Sequence, residues 1–176
     1  MVHDIVKFGA KVLRARCTPV AAYDDGVAGL VDDLFASMRA ADGVGLAAPQ
    51  IGIQRRVAVV DVSAQVEGTV PVVLVNPRLV ETVGSQIGEE GCLSFPGLYG
   101  DVERFEQVTV ESLGPDGQPF TVEAKGFFAR ALQHEIDHLD GKLFIDRLSP
   151  LKRQLMRGAL KKLKKEGEEW DRRQSG

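Results

Sequence analysis

At residues 133–138 the chain reads Gln-His-Glu-Ile-Asp-His, a stretch in which His134 and His138 are four positions apart. In a helix this spacing places both imidazoles on one face, so that both can point at a single ion. Glu135 follows the first histidine, where its carboxylate can take a proton from a water at that ion. The pattern predicts a helix with two metal ligands and a general base, although a histidine pair can have this spacing by chance.

The segments around this stretch predict an α+β fold, with a mainly antiparallel sheet packed on a metal-binding helix at about residues 127–139. Apolar residues at helical spacing predict another helix at residues 24–41. Strands are predicted where β-branched or turn-bounded runs occur, at residues 57–62, 70–75, 79–83, 108–113 and 120–124.

The remaining segments carry weaker signals. Residues 1–22 lack periodicity and predict an irregular arm, residues 43–52 are dense in glycine and alanine and predict a tight loop, and residues 89–97 predict a break between strands. Ser149-Pro150 predicts the start of a last helix through about residue 165, followed by a tail at 166–176. Without repeats or low-complexity tracts, residues 1–176 are expected to form a single domain.

The composition is that of an ordinary globular chain, with 44% hydrophobic and 27% charged residues. No apolar run approaches a membrane span, no export signal is evident, and Cys17 and Cys92 are too few for a disulfide framework, so we expect a cytoplasmic location without membrane association. The charge is uneven, since residues 151–176 hold 9 basic and 4 acidic residues while residues 1–150 hold 13 and 21. This split suggests an anionic partner for the last helix, or simply a solvated basic helix.

A hydrolytic metal site needs a third protein ligand and one open position. The metzincin pattern fails, because its third histidine position holds Phe144. Carboxylate ligands of the zincin type are also unconvincing, because Asp146 follows the histidines too closely and Glu166 lies in the basic tail. Cys92 is the better candidate, since a bend after Gly91 can aim a thiolate inward; a buried apolar cysteine is the alternative.

Three stretches together resemble the peptide deformylase family. They are Gly-Val-Gly-Leu-Ala-Ala-Pro-Gln at 43–50, Glu-Gly-Cys-Leu-Ser at 90–94 and the histidine stretch at 133–138, in the family's order and with similar spacing. The likeness extends from the N-terminal arm through residues 149–152. It implies a metal-dependent hydrolase that removes the formyl group from the N-formylmethionine of nascent polypeptides and releases formate.

The resemblance also implies a role for individual residues. It implies that Cys92, His134 and His138 are the metal ligands and that Glu135 is the general acid/base. It further implies that the Gln50 side-chain amide and the Leu93 backbone N–H are oxyanion donors, and that Gly45 contacts the substrate backbone. A metal-bound hydroxide would attack the formyl carbon, and Glu135 would carry the proton to the leaving amine. A methionine pocket is expected to be lined by Val44, Phe127 and Ala131, although core packing explains these three nearly as well.

The sequence leaves the metal and some neighbouring residues open. One thiolate and two imidazoles favour zinc, whereas the resemblance implies one Fe²⁺ per chain, with nickel, cobalt or zinc as substitutes. Glu90 could hydrogen-bond a ligand or lie on the surface, and Asp137 is expected to form a structural pair. Gly88 and Arg130 stand where many relatives have aliphatic residues, and residues 97–100 lack a basic residue common in relatives, so the side-chain preference is open.

Two other functions compete with deformylation. A general metallopeptidase would cleave internal peptide bonds without a formyl group, and a metal-binding relative without catalysis would lack the acid/base, which is present here. For the last helix we hypothesise association with the ribosome, whose RNA is polyanionic. Its basic face would stay exposed while an apolar face docks on the body, the apolar residues being Leu151, Leu155, Met156, Leu160 and Leu163.

Overall fold

The computed structural model describes all 176 residues and contains four α-helices and eight strands. The helices are α1 (Asp25–Ala40), α2 (Gly126–Leu139), α3 (Pro150–Leu155) and α4 (Arg157–Gln174). The strands are β1 (Gly45–Ala47), β2 (Val57–Val60), β3 (Val72–Val75), β4 (Arg78–Val83), β5 (Gln86–Gly91), β6 (Tyr99–Arg104), β7 (Gln107–Leu113) and β8 (Pro119–Lys125). None of the helices is long and apolar enough to cross a bilayer.

The strands form three antiparallel groups around helix α2. Strands β1, β2 and β3 form one sheet, β4, β7 and β8 form a second, and β5 and β6 form a hairpin. Helix α2 buries Ala129, Leu132 and Ile136 in the largest hydrophobic cluster, which also contains Ala58 and Val110 from the two sheets. The predicted α+β fold, with antiparallel sheets packed around the histidine helix, is confirmed.

The prediction of a break over residues 89–97 is wrong at its start. The chain is already extended in β5, which pairs with β6 from Gln86–Arg104 to Gly91–Tyr99, and only the turn between them is irregular. The strand signal was hidden because β5 contains two glycines, Gly88 and Gly91, and only one β-branched residue. At Gly91 an added Cβ would lie 2.6 Å from Tyr99 Cε1, so the tyrosine ring covers the strand where a side chain is missing.

The C-terminal helix also differs from its prediction. It is interrupted at Met156, and its second part runs to Gln174 instead of ending near residue 165. Leu151 and Leu155, expected on a docked face, are 67% and 74% exposed. Helix α4 continues because it docks on the N-terminal arm and its neighbourhood, where Asp171 accepts from the Lys11 N–H at 3.1 Å and Trp170 lies against Gly52.

We expect Gly167→Ala to destabilise the protein by about 1–3 kcal/mol, the usual cost of overpacking. A Cβ at this position would lie 2.3 Å from Ala10 N and 2.4 Å from Phe8 O, which are backbone atoms of the arm. Gly158→Ala is the matched control, because a Cβ there meets nothing within 4 Å and alanine favours the helix. Urea unfolding compares the two variants, and a Gly167→Ala protein as stable as the control would contradict the tight contact.

Candidate metal centre and active site

Cys92, His134 and His138 converge on one point. Both histidines lie on α2, and Cys92 follows directly after β5 in the turn that leads to β6. The Cys92 Sγ is 3.3 Å from His138 Nε2, which in turn is 3.2 Å from His134 Nε2. Their donor atoms all lie within 4.8 Å of one another, so the cluster could hold a metal ion.

The donor atoms of this cluster fit a divalent cation. His134 Nδ1 is 2.8 Å from Glu90 Oε1, and a proton shared there leaves the Nε2 lone pair facing the cluster. Cys92 Sγ and His138 Nε2 contact each other, and His138 Nε2 also contacts His134 Nε2. Outside the cluster, the hydrogen-bond partner of the sulfur is the Gln50 amide. Two imidazole nitrogens and a sulfur at such short mutual distances are donors of the type that binds zinc or a related transition metal.

Glu90 is a buried carboxylate that orients His134. Besides the histidine it accepts hydrogen bonds from Arg104 Nε and Nη2, both at 2.8 Å, and from Arg130 Nη1 at 2.6 Å. Burial alone would raise the pKa of Glu90, but the hydrogen bonds from Arg104 and His134 hold it well below its usual range. The surface alternative is therefore wrong, and Glu90 is the hydrogen-bond partner that fixes a ring of the cluster.

Asp137 ties the same helix to its surroundings, as the predicted structural pair. It accepts from Arg104 Nη1 at 2.6 Å and from Arg147 Nε at 2.7 Å. Burial works against its charged form, but these two arginines lower its pKa overall. Arg104 therefore bridges Glu90 and Asp137. Glu90 lies on β5, just before the turn that contains Cys92, and Asp137 is adjacent to His138 on α2.

Glu135 is 4% exposed and faces the cavity without a protein partner. Neither of its carboxylate oxygens is hydrogen-bonded to the protein, and Oε2 is fully buried. Burial raises its pKa to about 7. Gly45 on β1 makes room for it, because a Cβ at Gly45 would lie 2.5 Å from Glu135 Oε1. The geometry leaves this carboxylate free to exchange a proton with a water or a substrate.

Gln50 and Leu93 flank the cluster on its other side. Gln50 Oε1 accepts from Ala47 N at 3.0 Å, which directs Nε2 toward Ser94 Oγ at 3.2 Å and Cys92 Sγ at 3.5 Å. The backbone N–H of Leu93 donates to no protein acceptor. Both groups are donors beside the cluster that a substrate oxygen can use.

A cavity of about 570 Å³ opens onto the cluster. Its lining contains the predicted substrate-binding residues, namely Gly45, Val44, Phe127 and Ala131. The zincin candidates are elsewhere, since Asp146 pairs with Arg14 at 2.6 Å and Glu166 is exposed on α4. The structure thus brings together every residue that the resemblance assigned to the site.

Sequence reasoning did not predict the contacts of three polar residues of this region, although it noted Arg130 as a departure from many relatives. Arg104, Arg130 and Ser94 are all buried and hydrogen-bonded to Glu90 or Gln50. The signal that could have identified Arg130 is its position one turn before His134 on the same helix. Arg104 gave no comparable signal, because its partners are 14 and 33 residues away along the chain.

The comparison with known proteins agrees with this geometry. The sequence profile of the polypeptide deformylase family matches residues 2–154. The chain belongs to this family. A peptide deformylase of Alkalilimnicola ehrlichii is 46% identical over 166 residues, which cover 94% of this chain and 93% of the relative. Peptide deformylase 1 of Bacillus subtilis is 48% identical over 148 residues, covering 84% of this chain and 91% of the relative.

Solved deformylase structures share this fold over most of the chain. A peptide deformylase from Legionella pneumophila superimposes with a TM-score of 0.85 at 44% identity, covering 94% of this chain and 96% of the other. One from Synechococcus elongatus, solved in complex with actinonin, gives 0.82 at 40% identity, covering 89% and 86%. This chain is therefore an enzyme, a hydrolase of the metal-dependent deformylase family.

Proposed function

We propose that this deformylase hydrolyses the formyl amide of N-formylmethionine at the start of nascent polypeptides and releases formate. The observation that carries the proposal is the position of Glu135. Its buried carboxylate has no protein partner and lies in the same cavity as Cys92 and His134. A metal-ligand cluster beside an unpaired buried carboxylate is the arrangement that metal-assisted hydrolysis needs.

Each group of residues in the site has a separate role in the reaction. A cation held by Cys92, His134 and His138 would supply Lewis acidity, which lowers the pKa of water and polarises the formyl carbonyl. Glu135 takes the proton of the attacking water and delivers it to the leaving amine. The developing negative charge on the formyl oxygen is stabilised by donors from Gln50 Nε2 and the Leu93 N–H.

The substrate is held by the cavity wall. Gly45, on a three-residue strand at the cavity edge, contacts the peptide backbone of the substrate. The methionine side chain occupies the space lined by Val44, Phe127 and Ala131. Phe127 is 41% exposed and lines the cavity, so its ring is accessible to an apolar ligand.

A formylated substrate can be distinguished from an ordinary peptide by one experiment. Formyl-Met-Ala-Ser, acetyl-Met-Ala-Ser and a longer peptide without a formyl group are incubated with the metal-loaded enzyme, and the products are measured by mass spectrometry. Deformylation predicts loss of the formyl group only. Cleavage of an internal bond in any of the three peptides would favour the general metallopeptidase.

We propose Fe²⁺ as the cation in the cell. The ligand types favour zinc, but the metal that a site holds in the cell also depends on metal availability, so we follow the family resemblance. We expect air to inactivate the iron-loaded enzyme much faster than the nickel-loaded one. The reason is that Cys92 is only half-buried and lines the open cavity, where a thiolate is accessible to oxidants. Activity is followed after timed exposure to air, and equal half-lives would contradict the choice of iron.

We propose a cytoplasmic location and an association of α4 with the ribosome. Lys161, Lys162, Lys164 and Lys165 are all exposed, while Leu163 faces the body. Replacing the four lysines with glutamine should abolish co-sedimentation with ribosomes at low salt, because phosphate contacts are lost. Formate release from a tripeptide should stay unchanged. Unchanged co-sedimentation would leave α4 as a helix that only packs on the arm.

A further inference from the structure

Arg130 is a buried cation next to the metal-ligand cluster, although it hydrogen-bonds to none of the three ligands. It is 4% exposed and lies on α2. Its Nη1 donates to Glu90 Oε2 at 2.6 Å and to the Val102 carbonyl at 2.9 Å, and its Nη2 is 3.4 Å from Gln86 Oε1. Its shortest contact is therefore with the carboxylate that holds His134.

Gly88 on β5 provides the space for this arginine. A Cβ added to Gly88 would lie 3.1 Å from Arg130 Nη2 and 3.3 Å from its Cζ. Residues 86, 88 and 90 share one face of the strand, because side chains alternate along it. The guanidinium thus lies where a side chain of residue 88 would stand, so the glycine leaves room for the arginine.

The positive charge of Arg130 affects how strongly His134 can bind a metal ion. A carboxylate that accepts from the Nδ1 of a metal-binding histidine makes that histidine a stronger ligand. Glu90 already has Arg104 on both oxygens, and Arg130 places a second cation on Oε2. This second cation draws charge away from the hydrogen bond to His134. Its own field also opposes a metal cation nearby, in a region where little water screens it.

We propose that Arg130 is a positioning residue that acts through Glu90 on His134. It makes His134 a weaker ligand, so that the metal cation is bound less tightly and stays more electrophilic. The proposal rests on the proposed metal site and reaction. A purely structural role would tie α2 to the β5–β6 hairpin and nothing more. The two roles differ in sign: loss of a structural tie weakens metal retention, whereas loss of a neighbouring positive charge strengthens it.

The test compares Arg130→Met with Arg130→Lys, two side chains of similar length of which only one is charged. Each protein is loaded with Co²⁺, and release to excess chelator is followed by the visible absorption of the cobalt centre. We expect release from Arg130→Met to be slower by about tenfold, the lower end of the effects of polar residues that surround metal ligands. Arg130→Lys should stay close to wild type. Turnover of a formyl-Met tripeptide should fall in Arg130→Met, with a shifted cobalt spectrum.

Each other result overturns the proposal. Faster or unchanged release from Arg130→Met would leave only the structural role, and a lysine variant that behaves like methionine would show that charge is not the cause. If Arg130→Met does not fold, Arg130→Gln replaces it with the same expectation, and failure of both to fold also decides for structure. Wild-type protein that binds no Co²⁺ or releases no formate would instead refute the proposed function itself.

Discussion

Glu135→Gln is expected to keep its metal and to lose about 10²–10⁴-fold in formate release, the range that general acid–base catalysis contributes. The carboxylate is not part of the three-ligand cluster and hydrogen-bonds to no protein group, so its replacement leaves Cys92, His134 and His138 in place. Glutamine has nearly the same shape and still fits beside Gly45, but it cannot accept a proton from water at neutral pH.

The measurement for this variant is formate release together with the metal content of the same sample. Glu166→Gln is the matched control, since Glu166 is an exposed carboxylate of α4 and its neutralisation should leave turnover unchanged. A metal-loaded Glu135→Gln enzyme with near wild-type turnover would show that another group moves the proton. Loss of metal from the variant would show that the carboxylate supports the cluster rather than the reaction.

Glu90→Gln is expected to lower the free energy of unfolding by about 3–5 kcal/mol, the cost of removing one partner from a buried ion pair. Glu90 is the only carboxylate that contacts both Arg104 and Arg130, and all three side chains are at most 5% exposed. Without its charge, Arg130 is left without a carboxylate, and His134 loses its anionic acceptor. We therefore also expect faster metal loss from this variant.

Glu89→Gln is the control for this change, because the adjacent residue of the same strand points to solvent. It should alter stability by no more than about 0.5 kcal/mol, as surface substitutions usually do. Guanidinium unfolding of the metal-free proteins measures both variants. If the two changes cost the same, the network around Glu90 does not hold the hairpin to helix α2.

The sequence was sufficient for the parts of the molecule that local patterns determine. The spacing of His134 and His138 predicted the helix and the face on which both rings lie. Apolar residues at helical spacing predicted α1, and β-branched or turn-bounded runs predicted most strands of the two sheets. The third ligand is different, because nothing in the periodicity singled out Cys92. It was favoured because the alternative ligands failed and a bend after Gly91 could aim it inward, and its place within three ordered motifs then pointed to the same residue. The structure has its sulfur next to His138.

What the sequence could not predict depends on contacts between distant segments. Strand β5 was missed because its glycines are stabilised by neighbours, Arg130 beside Gly88 and Tyr99 beside Gly91. The extension of α4 was missed because its support is the arm at the other end of the chain. In both cases the local sequence does not favour the observed secondary structure, and tertiary contacts stabilise it.

In the proposed function, the cluster of Cys92, His134 and His138 holds the cation on which deformylation depends. The most direct test is an anaerobic titration of the metal-free enzyme with Fe²⁺, in which formate release from a formyl-Met tripeptide is measured against iron bound per chain. We predict that activity rises linearly and stops at one iron per chain, and that Cys92→Ala neither retains the iron nor releases formate. A fully loaded enzyme without formate release, or full activity in Cys92→Ala, would contradict the claim.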